Sequence, residues 1–108
     1  MMYHYVITNY TEGGKKMSNT ANDGWHSFME NCLKQNRRQD LEIFFNVFLT
    51  VSEKDELSKR FNIILELLKG TKTQREIARD LGVSIANVSR GANVLKTYPQ
   101  NIKEILQV

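Results

Sequence analysis

The chain has 108 residues, 41% hydrophobic and 25% charged, with a formal net charge of +3; that suits one soluble domain with one modest core. Its apolar runs are far too short to span a bilayer, and residues 1–7 are aromatic and polar with no basic stretch, unlike a signal peptide. A single cysteine, Cys32, excludes an intrachain disulfide and fits a reducing cytoplasm, while His4 and His26 stand apart, without metal-ligand spacing.

Residues 1–23 lack hydrophobic periodicity and read as a disordered N-terminal arm, ahead of a helical domain over 24–108. The run Glu12, Gly13, Gly14, Lys15, Lys16 before Met17 can be encoded as a ribosome-binding site, so Met17 is a candidate start of translation. Trp25, Phe28, Met29, Cys32 and Leu33 then fall on one face of a helix, with Asp23 as its candidate N-cap. Residues 39–49 carry Leu41, Ile43, Phe44, Phe45, Val47, Phe48 and Leu49 and are apolar almost all round. A short helix in a small protein cannot bury every side within its own subunit, so this one predicts an intertwined homodimer. A strand is the alternative, but nothing else in the chain supplies partner strands.

Thr50 or Ser52 caps the next helix, whose first turns hold Glu53, Asp55 and Glu56. Its expected buried stripe is Leu57, Phe61, Ile64, Leu65 and Leu68, and Gly70 ends it. Thr71 or Thr73 caps a short helix through Leu81. Gly82 and Val83 make a turn, and Ser84 caps a further helix to about Leu95. Pro99, the only proline, opens a last helix with Ile102, Ile105 and Leu106 on its inner face. The expected fold class is all-α, with about six helices.

The segment from Gln74 to Arg90 has the residue types that a helix-turn-helix requires. Ala78 is small where the two helices approach, Gly82 can take a positive φ, and Ser84 satisfies free amides at the start of the second helix. Ile77, Leu81, Val83, Ile85 and Val88 are expected between the helices. Over 72–96 there are five basic residues, Lys72, Arg75, Arg79, Arg90 and Lys96, against Glu76 and Asp80, an excess of +3. A localised basic segment is the footprint of a phosphate-binding face. A recognition helix enters the major groove with its first residues at base edges. That makes Ser84, Ile85, Ala86 and Asn87 the reading candidates, with Ser89 further along the helix. Arg75 can reach a guanine or a phosphate. Lys72 and Arg79 read either as phosphate contacts or as a solvated face. No paired carboxylates, nucleophile–base set or phosphate loop marks an enzyme.

The run Gln74-Arg75-Glu76, then Ser89-Arg90-Gly91-Ala92-Asn93-Val94-Leu95-Lys96, resembles the tryptophan repressor family. So does the upstream block with Phe48, Leu49, Thr50, Leu57, Arg60, Ile64 and residues 66–70, and the likeness covers roughly 25–106. It implies an interlocked homodimer that binds double-stranded operator DNA of genes for tryptophan synthesis or transport, with L-tryptophan as corepressor and no metal. It implies an indole ring held between the guanidinium groups of Arg60 and Arg90 against Gly91. Thr50 and Arg90 would meet the carboxylate, and the partner's carbonyls near Val47 and Leu49 the ammonium. A guanidinium stacks flat on an aromatic face, which suits such a clamp. Read without the resemblance, Arg60 is a helix-surface partner of Glu56, and Arg90 a phosphate contact.

Four positions depart from the family. Val94 stands where the family has a serine whose hydroxyl helps hold the ammonium, a hydrogen bond worth roughly 1–2 kcal/mol. Val83 is bulkier than the usual turn residue, and Ala78 and Asn87 differ at reading positions, so an operator sequence does not transfer. The alternatives are a related DNA-binding regulator with weakened or lost tryptophan control and a helical interaction protein. The localised basic charge and Arg90-Gly91 oppose the latter.

Overall fold

The computed structural model describes residues 16–98 and 101–107. Within them lie six helices and no strand: α1 Asn19–Lys34, α2 Arg38–Phe48, α3 Val51–Lys69, α4 Gln74–Leu81, α5 Ile85–Thr97 and α6 Ile102–Leu106. The all-α class and the order of helices agree with the sequence. Pro99 falls outside the described residues, as do positions 1–15 of the expected arm.

The caps show where local chemistry set the boundaries. Ser18, not Asp23, caps α1 by accepting from the Ala21 amide, so residues 19–23 are helical rather than part of an arm. Thr50 caps α3 in a reciprocal box, accepting from the Glu53 amide at 3.1 Å while the Glu53 carboxylate accepts from the Thr50 amide at 2.9 Å. The hydrogen bond from the Thr50 amide, then one from the Thr50 side chain, hold the Glu53 carboxyl below its usual range. Thr73 and Ser84 cap α4 and α5 by accepting from the Glu76 and Asn87 amides. Gly70 and Gly82, with φ of 68° and 66°, end α3 and α4 in the left-handed region that side chains disfavour.

The chain divides between Phe48 and Leu49 into two compact units. In the first, Phe28 of α1 stacks on Trp25, with ring centroids 5.6 Å apart, and meets Phe44 at 5.2 Å and the edge of Phe48 at 5.6 Å. No residue of α1 or α2 is fully buried. Trp25, Met29, Leu33, Ile43, Val47 and Phe48 are all exposed.

The second unit has a small dry core of Ile63, Ile77, Ala78 and Val88, with Leu67, Leu81 and Val83 packed on it. Here the expected stripe of α3 is corrected. Ile63 is its one buried residue, while Leu57 and Phe61 lie exposed. Helix α3 therefore carries two apolar faces. One is covered by α4 and α5 and the other is bare.

Candidate nucleic-acid interface and ligand site

Helices α4 and α5 are locked together before any partner arrives. Ile77 and Val88 are completely buried between them. The Val83 amide donates to the Ala78 carbonyl at 3.0 Å, and the Gly82 amide to the Arg79 carbonyl at 3.3 Å, closing the turn. The Ser84 hydroxyl accepts from the Asn87 amide at 3.1 Å. The result is a closed helix-turn-helix whose first turn of α5 is bare: Ser84, Ile85, Ala86 and Asn87 are all exposed. Ile85 thus leaves the inter-helix core that the sequence pattern assigned it and joins the outward set. Ser89 is half-buried, and its hydroxyl donates to Gln74 Oε1 at 2.7 Å, tying α5 to the first residue of α4. Sequence reasoning passed over Gln74 because no local spacing links positions 74 and 89.

The cations divide into two kinds. Arg75 is exposed in the first turn of α4 and makes no ion pair among the described residues. Lys72 is engaged: its Nζ lies 3.1 Å from Asp80 Oδ2 and 3.5 Å from Glu66 Oε2. Asp80 in turn meets Arg79 Nε at 3.3 Å, and Glu66 meets Lys69 Nζ at 3.1 Å. The hydrogen bond from Lys72, then that from Arg79, hold the Asp80 carboxyl below its ordinary value. The bond to Asp80 and the charge of Glu66 raise Lys72.

The ligand candidates stand as follows. Thr50 Oγ1 already accepts from the Glu53 amide as an N-cap, and its side chain also hydrogen-bonds the Glu53 carboxyl. Arg60 is exposed on α3. It does not pair with Glu56, whose carboxylate lies 3.9 Å from Lys59 Nζ. Arg90 is exposed on α5, next to Gly91. A Cβ at Gly91 would lie 3.0 Å from Ile63 Cγ2 and 3.3 Å from Leu67 Cδ1. The close approach of α5 to α3 thus gives the missing side chain at 91 a packing reason. Val94, one turn further, is half-buried. Leu49 is half-buried before Thr50, and Val47 is exposed in the last turn of α2, in the other unit. Among the described residues no group of three or more His, Cys, Asp or Glu is placed to hold a metal, and no helix is long and apolar enough to cross a membrane.

A capped helix-turn-helix in an all-helical chain defines the class: a helix-turn-helix transcriptional regulator. Comparison with known proteins narrows it. The family model for the Trp repressor protein matches residues 23–108. The chain is 43% identical over 91 residues to a Trp operon repressor homolog of Chlamydia trachomatis serovar D, covering 84% of this chain and 97% of that one. Homologs of the same description from Chlamydia caviae (41% over 92 residues, 84% and 91% covered) and Vibrio campbellii (36% over 83 residues, 77% and 83%) are also similar. The chain belongs to the Trp repressor family, and with it to the repressor-type regulators.

Proposed function

We propose that the protein is a homodimeric cytoplasmic repressor that binds operator DNA through α4 and α5 when L-tryptophan is bound, with no catalytic role. The observation that carries the DNA half is the bare first turn of α5 on a head whose turn and cap are closed by its own hydrogen bonds. The name of the relatives supports tryptophan as the signal, and genes of tryptophan synthesis or transport as targets. Arg75, without an ion pair among the described residues and at the start of α4, is the candidate for a base or phosphate contact. In this reading Ser84, Ile85, Ala86 and Asn87 face base edges, Arg79 faces the backbone, and Ser89 acts through Gln74. Binding is expected to weaken steeply with salt as counterions are released. Arg75→Ala is expected to reduce affinity for a selected operator duplex more than for random DNA; equal losses on both would make Arg75 a phosphate contact instead.

The tryptophan site of this reading takes Arg60, Arg90 and Gly91 around the indole and Thr50 with Arg90 at the carboxylate. The partner's carbonyls near Val47 and Leu49 receive the ammonium. Two observations favour a second reading, a regulator with weakened tryptophan control: Gly91 has a packing reason of its own, and Val94 offers no hydroxyl. An ammonium short of one acceptor loses on the order of 1–3 kcal/mol, and an indole acid without the amino group does not. Val94→Ser is accordingly expected to tighten L-tryptophan and barely change indole-3-propionate in calorimetry. An unmoved ratio of the two affinities would mean that residue 94 does not face the amino group.

A further inference from the structure

The sequence left Lys72 open between a phosphate contact and an idle surface charge, and the geometry favours neither. Lys72 lies in the link between α3 and α4, after the left-handed Gly70 and just before the Thr73 cap. Its ammonium lies 3.5 Å from Glu66 Oε2, in the last turn of α3, and 3.1 Å from Asp80 Oδ2, in the last turn of α4. The Glu66 side chain is only 16% exposed and that of Lys72 35%, so the bridge is partly sheltered from solvent. Both carboxylates sit at helix C-termini, where the macrodipole opposes negative charge. Each therefore needs a cation, and Lys72 serves both at once. Lys69 and Arg79 sit on the outer side of the same chain of charges, each against one carboxylate.

We propose that Lys72 is a positioning residue that joins the C-terminal turn of α3 to that of α4 and so sets the angle at which α5 meets DNA. The proposal rests on the reading of α5 as the DNA-recognition helix. An ammonium given to a phosphate would abandon two carboxylates, one of them largely covered. An ammonium that stays leaves the helix pair in one orientation. Helix α5 follows, because it is bound to α4 through Ile77, Val88 and the Ser89–Gln74 hydrogen bond.

The test uses the full-length chain with L-tryptophan present, as wild type, Lys72→Met, Asp80→Asn and the double variant. Affinities are measured for a duplex selected by the wild-type protein from a random-sequence library and for a random duplex of equal length, across a salt series. Amide hydrogen exchange over residues 80–86 is followed in the DNA-free protein. A general charge effect acts on both duplexes alike, so their affinity ratio isolates orientation. The ratio is expected to fall roughly two- to fivefold in each single variant, the range of a small ion-pair network. It falls no further in the double variant, because the two residues act as one unit. The salt slope of Lys72→Met stays that of wild type, and exchange over 80–86 quickens in both singles. Equal loss on both duplexes with a slope smaller by about 0.9 would make Lys72 a phosphate contact and overturn the proposal. An unchanged ratio together with unchanged exchange would overturn it as well. A wild-type protein that selects no duplex defeats the DNA reading, and exchange alone then decides whether the joint exists.

Discussion

Gly91→Leu is expected to destabilise the protein by about 1–3 kcal/mol, the cost of forcing carbon into a packed contact, and to abolish operator binding. The first added atom already lies 3.0 Å from Ile63 Cγ2, with Leu67 Cδ1 at 3.3 Å and Ile64 Cδ1 at 3.5 Å. Ile63 is 2% exposed and belongs to the core beneath α4 and α5, so it has little room to yield. The γ and δ carbons of leucine have nowhere to go unless α5 lifts from α3, carrying the reading turn with it. Gly91→Ala is a milder case, because alanine recovers about 1 kcal/mol of helix propensity against a contact that must open by a few tenths of an ångström. Urea denaturation measures both. Partial rescue of Gly91→Leu by Ile63→Ala would locate the strain at this contact. A Gly91→Leu protein as stable as wild type would mean that α5 does not pack on α3 through residue 91.

Ile43→Asp is expected to have an effect of comparable size for a different reason. In the single chain Leu33 is 76% exposed, Val47 71% and Ile43 57%, alongside bare Trp25, Met29 and Phe48 in the same unit. A monomer rarely leaves so many large apolar side chains of one small unit in water. On a true surface position, a charge would change stability by no more than about 0.5 kcal/mol. In an intertwined dimer it would desolvate a carboxylate without a partner, at a cost on the order of several kcal/mol. Ultracentrifugation and concentration-dependent unfolding separate the two. The dimer reading expects Ile43→Asp to be monomeric and largely unfolded at micromolar concentration, and wild type to be a dimer that dissociates only as it unfolds. A folded, stable wild-type monomer would contradict it.

What the sequence revealed and what it hid follow from the range of the forces involved. The helices and most of their caps were legible because they rest on neighbours three or four residues apart. Thr73, Ser84, Gly70 and Gly82 occupy the roles their chemistry suggested. The start of α1 was misplaced because Ser18 and Asp23 are equally good caps, and periodicity begins only at Trp25. The inward face of α3 was misread because α3 has two apolar stripes, and a pattern cannot say which one its own chain covers; Ile63 was the answer. Ile85 was assigned to the core on hydrophobicity alone, whereas its place in the first turn of α5 turns it outward. The Ser89–Gln74 bond and the Lys72–Asp80 pair join positions 15 and 8 residues apart across a turn, beyond the reach of any local rule. The exposure of Ser84, Ala86 and Asn87 follows from their place in the first turn of α5, which the Ser84 cap made legible. The packing of Gly91 against Ile63 and Leu67 was hidden as well, because it joins residues far apart in the chain.

The claim that binds these parts together is that L-tryptophan governs DNA binding. The direct measurement is a titration of the full-length protein against a duplex it selects from a random-sequence library, at fixed salt, with and without saturating L-tryptophan. By linkage, a ligand that favours the DNA-competent state tightens DNA binding by the same factor that DNA tightens the ligand. The account predicts at least about a tenfold gain in operator affinity, equal to 1.4 kcal/mol of coupling, with a smaller gain on random DNA. Equal operator affinity with and without L-tryptophan would contradict it, and would leave a helix-turn-helix regulator answering to some other signal.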